Sequence, residues 1–136
     1  MAAEPTSKGE LDELRAMVAV NLKDSRVREI SAQGRYEFAY NAALLMATTV
    51  IRARGYRVVS KVGHHYFTFQ ALQASDAAFA TIGVYFDQAR DRRNDFSYDS
   101  PAEISDTDAE DLIDAATRFI ADAEKWISSN FPALCK

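Results

Sequence analysis

Apolar residues recur at intervals of three and four along nearly the whole of this chain, and nowhere do several positions alternate as a half-buried strand requires. That spacing restricts the fold to helices packed side by side, an all-α class. With 136 residues the chain supports one hydrophobic core and is too short for two ordinary ones. The expected organisation is a lead-in without structure over 1–8, a single helical domain over 9–132 and a short tail over 133–136.

Five helices follow from the pattern. The first places Leu11, Leu14, Val18 and Leu22 on one face, and "RVREISAQG" adds a further turn or two before Gly34 punctuates the chain. The second spans about Arg35 to Arg54, with Tyr36, Tyr40, Ala43, Ala47, Val50 and Arg54 on one stripe, and Gly55 suits the left-handed residue that follows a helix end. "GYRVVSKVG" reads as a loop or short extended piece. A third helix starts near His64 and carries Tyr66, Phe69 and Leu72; a fourth starts near Ala77 with Phe79, Ile82, Phe86 and Ala89 in step. The last starts at "SDTDAEDL", where Ser105 or Asp106 can cap, and Phe131-Pro132 stops it. The aromatic set Tyr36, Tyr40, Phe67, Phe69, Phe79, Tyr85 and Phe86 is expected in the core and in a dimer seam.

Charge is unevenly spread. The net charge of −4 argues against indiscriminate nucleic-acid binding. Yet from Phe38 to Ser75 there is no Asp or Glu, while Arg52, Arg54, Arg57 and Lys61 supply positive charge. From Pro101 onward the balance reverses, with eight acids against three bases. No run of about 18 apolar residues occurs, so no membrane span is expected. The N-terminal "MAAEPTSKGELDEL" lacks the apolar stretch of a secretory leader, and the expected location is the cytoplasm. Cys135 alone forms neither an internal disulfide nor a multi-cysteine metal site.

The chemistry concentrates in "RDRRNDFSYD", Arg90 to Asp99. Continuing the apolar stripe of the fourth helix by one step lands on Arg93, and a guanidinium placed there needs acceptors. Asp87, Asp91, Asp95 or Asp99 supply them in one reading. In the other the partner is a phosphate, whose oxygens match the planar guanidinium in pairs, with Arg90, the Asn94 amide and the Tyr98 hydroxyl alongside.

The helix "GRYEFAYNAALLMATTVIRARGYRV", the following "GHHYFTFQAL" and the later "RDRRNDFSYD" together resemble the HEPN superfamily of small helical proteins. The resemblance covers roughly Ser31 to Trp126. It implies a four- to five-helix up-and-down bundle, acting as a homodimer whose Arg-centred motifs face one another across a cleft. It also implies RNA or nucleotide binding in a toxin–antitoxin or stress and defence setting, with an antitoxin or a nucleotidyltransferase as partner and no cofactor. Many members are metal-independent ribonucleases that use an arginine, a polar residue and a nearby histidine. Arg93 and Asn94 match the first two, and Tyr98 stands where the histidine would be.

Tyrosine, with an ordinary pKa of about 10, is a poor base for RNA cleavage, whereas histidine at about 6.5 suits it. His64 and His65, at the expected start of the third helix, are the only imidazoles available to replace it. No glycine-rich phosphate loop and no nucleophile elbow is present. Three readings remain open at this level: a phosphate-binding module with weak or absent catalysis, a metal-independent endoribonuclease using Arg93 with His64 or His65, and a protein–protein adaptor whose acidic last helix docks a basic surface.

Overall fold

The computed structural model describes residues 1–95 and 104–135. Among them five α-helices carry the fold: α1 (Lys8–Ser25), α2 (Ala32–Ala53), α3 (His64–Ser75), α4 (Ala80–Asp95) and α5 (Asp106–Asn130). Short 3₁₀ turns at Ala77–Phe79 and Pro132–Cys135 precede α4 and close the chain. The all-α expectation holds, with a bundle of helices and one minimal sheet, β1 (Ala2–Ala3) antiparallel to β2 (Tyr56–Arg57).

Helix α2 is the axis of the structure and packs against each of the other four. Its alanines at 39, 42, 43 and 47 are fully buried, and their small side chains let neighbouring helices approach closely. Leu11 and Val18 of α1, Phe69 and Leu72 of α3, Phe86 of α4 and Leu112, Phe119 and Ile127 of α5 complete the core. A chain of aromatic contacts runs through it, from Phe69 to Phe86 at 6.0 Å, on to Phe119 at 5.3 Å, and from there to Phe79 at 5.7 Å. Of the aromatic set expected in the core and a dimer seam, Phe67 and Tyr85 are exposed in the single chain and are not part of its core.

Helix ends follow local chemistry. Ser105 and Asp108 form a reciprocal capping box that starts α5, and Ser7 caps α1 by accepting from the Glu10 amide at 3.2 Å. The connection between α1 and α2 departs from the sequence reading. α1 stops at Ser25, whose buried hydroxyl donates to the Leu22 carbonyl, and Ser31 already caps α2 by accepting from the Gly34 amide at 3.1 Å. Gly34 therefore sits inside the first turn of α2, where a side chain would collide with Ile30 at 2.7 Å. It is required for closeness, not as a break. Gly83 acts likewise on α4, since a Cβ there would meet Gln73 at 2.4 Å and the Phe69 carbonyl at 3.3 Å across the α3 interface.

Glu4 and Pro5, within the stretch read from sequence as a lead-in without structure, are held by Arg52. Its side chain is 8% exposed, donates from Nε to Glu10 at 2.6 Å and lies 3.4 Å from a Glu4 carboxylate oxygen. It also donates to the backbone carbonyls of Glu4, Pro5 and Tyr56. The planar, multiply donating guanidinium satisfies five acceptors from three segments at once, which a lysine cannot do. The same hydrogen bond lowers the Glu10 pKa below the usual carboxylate value. Replacing Arg52 with Met is expected to cost about 1–3 kcal/mol, the scale for leaving enclosed carbonyls without a donor. Urea unfolding measures the loss, and limited proteolysis should then cut within the first seven residues; an unchanged unfolding midpoint would contradict this role.

Candidate functional site

The last turns of α4 meet the first turn of α3 over the middle of α2. Arg93 donates from Nε to Glu37 of α2 at 2.7 Å, and its guanidinium lies over the Tyr40 ring at 5.1 Å. Glu37 and Tyr40 stand three residues apart and so share one face of α2, which lets a single arginine engage both. The fully buried Tyr40 reaches on to α3, where its hydroxyl lies 2.8 Å from His65 Nδ1. Glu37, Arg93, Tyr40 and His65 thus form one continuous connection among three helices. Arg90, one turn earlier, is held by Asp87 at 2.8 Å and Asp91 at 3.1 Å and lies over the Tyr66 ring at 5.5 Å.

The partner of Arg93 is accordingly Glu37, not Asp87 or Asp91, which go to Arg90; the Asp95 side chain, Tyr98 and Asp99 lie outside the described residues. With its side chain 29% exposed, Arg93 is also less buried than the apolar stripe suggests, and Arg52 is the arginine that the core encloses. Arg92 turns the other way, to Asp108 of α5 at 2.9 Å.

The two histidines have opposite proton arrangements. Burial pushes the Tyr40 phenol well above its ordinary pKa, so the hydroxyl keeps its proton and must donate it. His65 Nδ1 is the acceptor at hand, so that nitrogen is bare and Nε2 carries the hydrogen. Burial first, then the positive charges of Arg93, His64 and Arg90, lower the His65 pKa, so the ring is neutral at pH 7 and offers a donor. His64 is exposed, and its Nδ1 faces the Ser60 carbonyl at 3.1 Å. A carbonyl only accepts, so Nδ1 of His64 holds the hydrogen and its Nε2 is the basic nitrogen.

These groups surround a cleft of about 310 Å³ lined by Lys61, the chain from Gly63 to Tyr66, Arg90 and Asn94. α3 starts here from Gly63, which adopts the left-handed conformation at φ 70° and provides no side-chain cap; no acid occupies the first turn. The first helical bond runs from the Phe67 amide to the Gly63 carbonyl, so the amides of His64, His65 and Tyr66 have no intrahelical acceptor. The uncapped first turn of α3 with the positive end of its dipole, two cationic side chains, Lys61 and Arg90, and the His65 ring border one small volume. That assembly favours an anion.

Of the residues singled out from sequence, Arg90, Asn94, His64 and His65 line the cleft, while Arg93 stands behind it through Tyr40 and His65. Lys61, Gly63, Glu37 and Tyr40 were not singled out for the site. Glu37 carried a signal, as the last acid before the acid-free stretch; Tyr40 was hidden within an apolar stripe that reads as core.

The His65 assignment has two measurable consequences. Long-range ¹H–¹⁵N spectra should show the Nε2–H tautomer, and Tyr40→Phe, by removing the donor that favours the neutral ring, should raise the His65 pKa toward 6.5; an Nδ1–H tautomer would contradict the assignment. Because folding lowers this pKa, the unfolded chain takes the proton first. Stability is therefore full above the unfolded value near 6.5 and falls as pH drops toward the folded one, a slope that thermal unfolding of His65→Gln should show flattened.

Residues 27–124 match the family model described as SAV_6107-like HEPN, a span running from the turn before α2 to Glu124 in α5. No curated protein and no solved structure matches the chain.

Proposed function

The chain belongs to the SAV_6107-like HEPN family, and on that footing we propose that it binds phosphate groups of RNA or of a nucleotide in the cleft at the start of α3, with weak or absent catalysis. The observation that carries this reading is the uncapped first turn of α3, with Lys61, Arg90 and Asn94 around it. The Lys61 and Arg90 cations and the Asn94 amide suit holding an anion. The Tyr40 bond supports weak catalysis, because it leaves His65 a hydrogen to give and no basic nitrogen facing a 2′-hydroxyl. Arg93 is the positioning residue of the site. Stacked on Tyr40 and paired with Glu37, it holds the tyrosine whose hydroxyl orients His65.

In this reading the protein acts as a homodimer in a toxin–antitoxin or stress-response setting. An antitoxin or a nucleotidyltransferase is its partner, and Tyr98 adds a hydroxyl that donates a hydrogen bond to phosphate, or a modification target. No helix among the described residues is long and apolar enough to cross a membrane.

Titration with a short single-stranded RNA and with an adenine nucleotide at two salt concentrations tests the proposal. Arg90→Ala and Lys61→Ala are each expected to weaken binding by about tenfold and to reduce the salt dependence by about one phosphate's share. Arg93→Ala should weaken binding and raise the His65 pKa together. Unaltered affinity in all three variants would remove the site.

One observation favours a second reading, a metal-independent endoribonuclease. The bond from His64 Nδ1–H to the Ser60 carbonyl leaves Nε2 of His64 free to take a proton at the edge of the same cleft, which assigns the role of base to His64 and not His65. Cleavage of a labelled RNA in chelator, abolished in His64→Ala and Arg93→Ala and retained in His65→Gln, is the expected result of this reading. No cleavage by the native chain would dismiss it.

A further inference from the structure

A second concavity lies between the start of α4 and α5, with a volume of about 620 Å³. Its floor is apolar, formed by Phe79, Ile82 and Trp126, and its rim carries Asp111, Asp114 and Asp122. None of these three carboxylates makes an ion pair among the described residues; Arg118 is the cation that lines the groove with them, and Asp114 also borders a neighbouring hollow with Arg26, Arg28 and Arg35. The groove-lining positions of α5 run from Asp111 to Trp126, about 22 Å along the helix at 1.5 Å per residue, enough to lie beside four turns of another helix.

We propose that this groove docks a basic, amphipathic helical segment of another protein. The argument is charge complementarity over an apolar floor. A phosphate-bearing ligand is repelled by the three aspartates, and a second copy laid groove to groove would bring the same aspartates together, a juxtaposition that opposes association. A helix with apolar residues every three or four positions and lysines or arginines along its flanks satisfies both parts of the surface. The groove is pinned open at one end, where the Trp126 indole donates to Asp76 at 3.0 Å and packs edge-on to Phe79 at 5.6 Å. This surface is separate from the α3 cleft and stands or falls independently of what that cleft binds.

Trp126 is the chain's single tryptophan, so its fluorescence reports the groove directly. The full chain is titrated with a helical peptide of about 18 residues made of leucine and lysine in amphipathic order, and with leucine/glutamate and serine/lysine counterparts. The leucine/lysine peptide should produce a saturable shift in emission, weakened at least about tenfold in both counterparts and by added salt. Asp111→Asn/Asp114→Asn/Asp122→Asn should lose about tenfold in affinity and most of the salt effect, and Ile82→Ser should weaken binding while leaving the salt effect intact. Equal binding of all three peptides, no saturable shift, or indifference to the triple substitution would overturn the proposal. So would a shift of Trp126 emission with protein concentration alone, accompanied by a dimer mass in light scattering, because a second copy would then occupy the groove.

Discussion

A single hydrogen bond, from the buried Tyr40 hydroxyl to His65 Nδ1 at 2.8 Å, governs both the packing and the chemistry at the functional end of this bundle. A tyrosine with no exposure has to place its proton somewhere, since an unsatisfied buried hydroxyl costs about 1–3 kcal/mol. Placing it on His65 fixes the ring, brings the start of α3 against α2 and turns the remaining ring hydrogen into a donor. Arg93 closes the arrangement from α4, stacking on the same tyrosine while Glu37 holds its charge. One residue in the middle of the central helix therefore connects three helices and sets the proton state of the cleft they form.

The uneven charge of the sequence has a structural explanation. Within the acid-free stretch the cations serve different ends: Arg52 is enclosed and ties down the chain start, Arg54 donates to Ser75, and Lys61 borders the cleft. The acids absent from that stretch gather on α5, where Asp108 caps the helix and receives Arg92 while Asp111, Asp114 and Asp122 line the groove against α4. The molecule thus has one cleft suited to an anion and a separate groove suited to cations. An overall charge of −4 conceals both.

Much of this fold was legible from periodicity alone, because apolar residues spaced by three and four have one way to be buried together. The starts of α3 and α5 were readable for the same local reasons, glycine before one and a serine cap before the other. What the sequence hid was partnership across elements. Spacing puts Arg54 and Arg93 on apolar stripes, yet the enclosed arginine is Arg52; that depends on the segments of Glu4, Pro5 and Tyr56 folding over it. Likewise Asp87 and Asp91 were obvious partners for Arg93 from sequence, yet they pair with Arg90, and Arg93 is met by Glu37, 56 positions away, because α2 lies beneath α4. Gly34 read as a break, since spacing cannot reveal that Ile30 folds back against it.

The account rests on the first turn of α3 being a place where an anion is held by backbone amides. Amide shifts recorded as a short oligoribonucleotide is added test this most directly. The amides of His64, His65 and Tyr66 should move downfield and saturate together, with the Asn94 side chain and the His65 Nε2–H following the same curve. If those signals stay still while RNA binds elsewhere on the bundle, or if no signal moves at low salt, the cleft is not a phosphate site and the arginines around it serve only to hold the helices together.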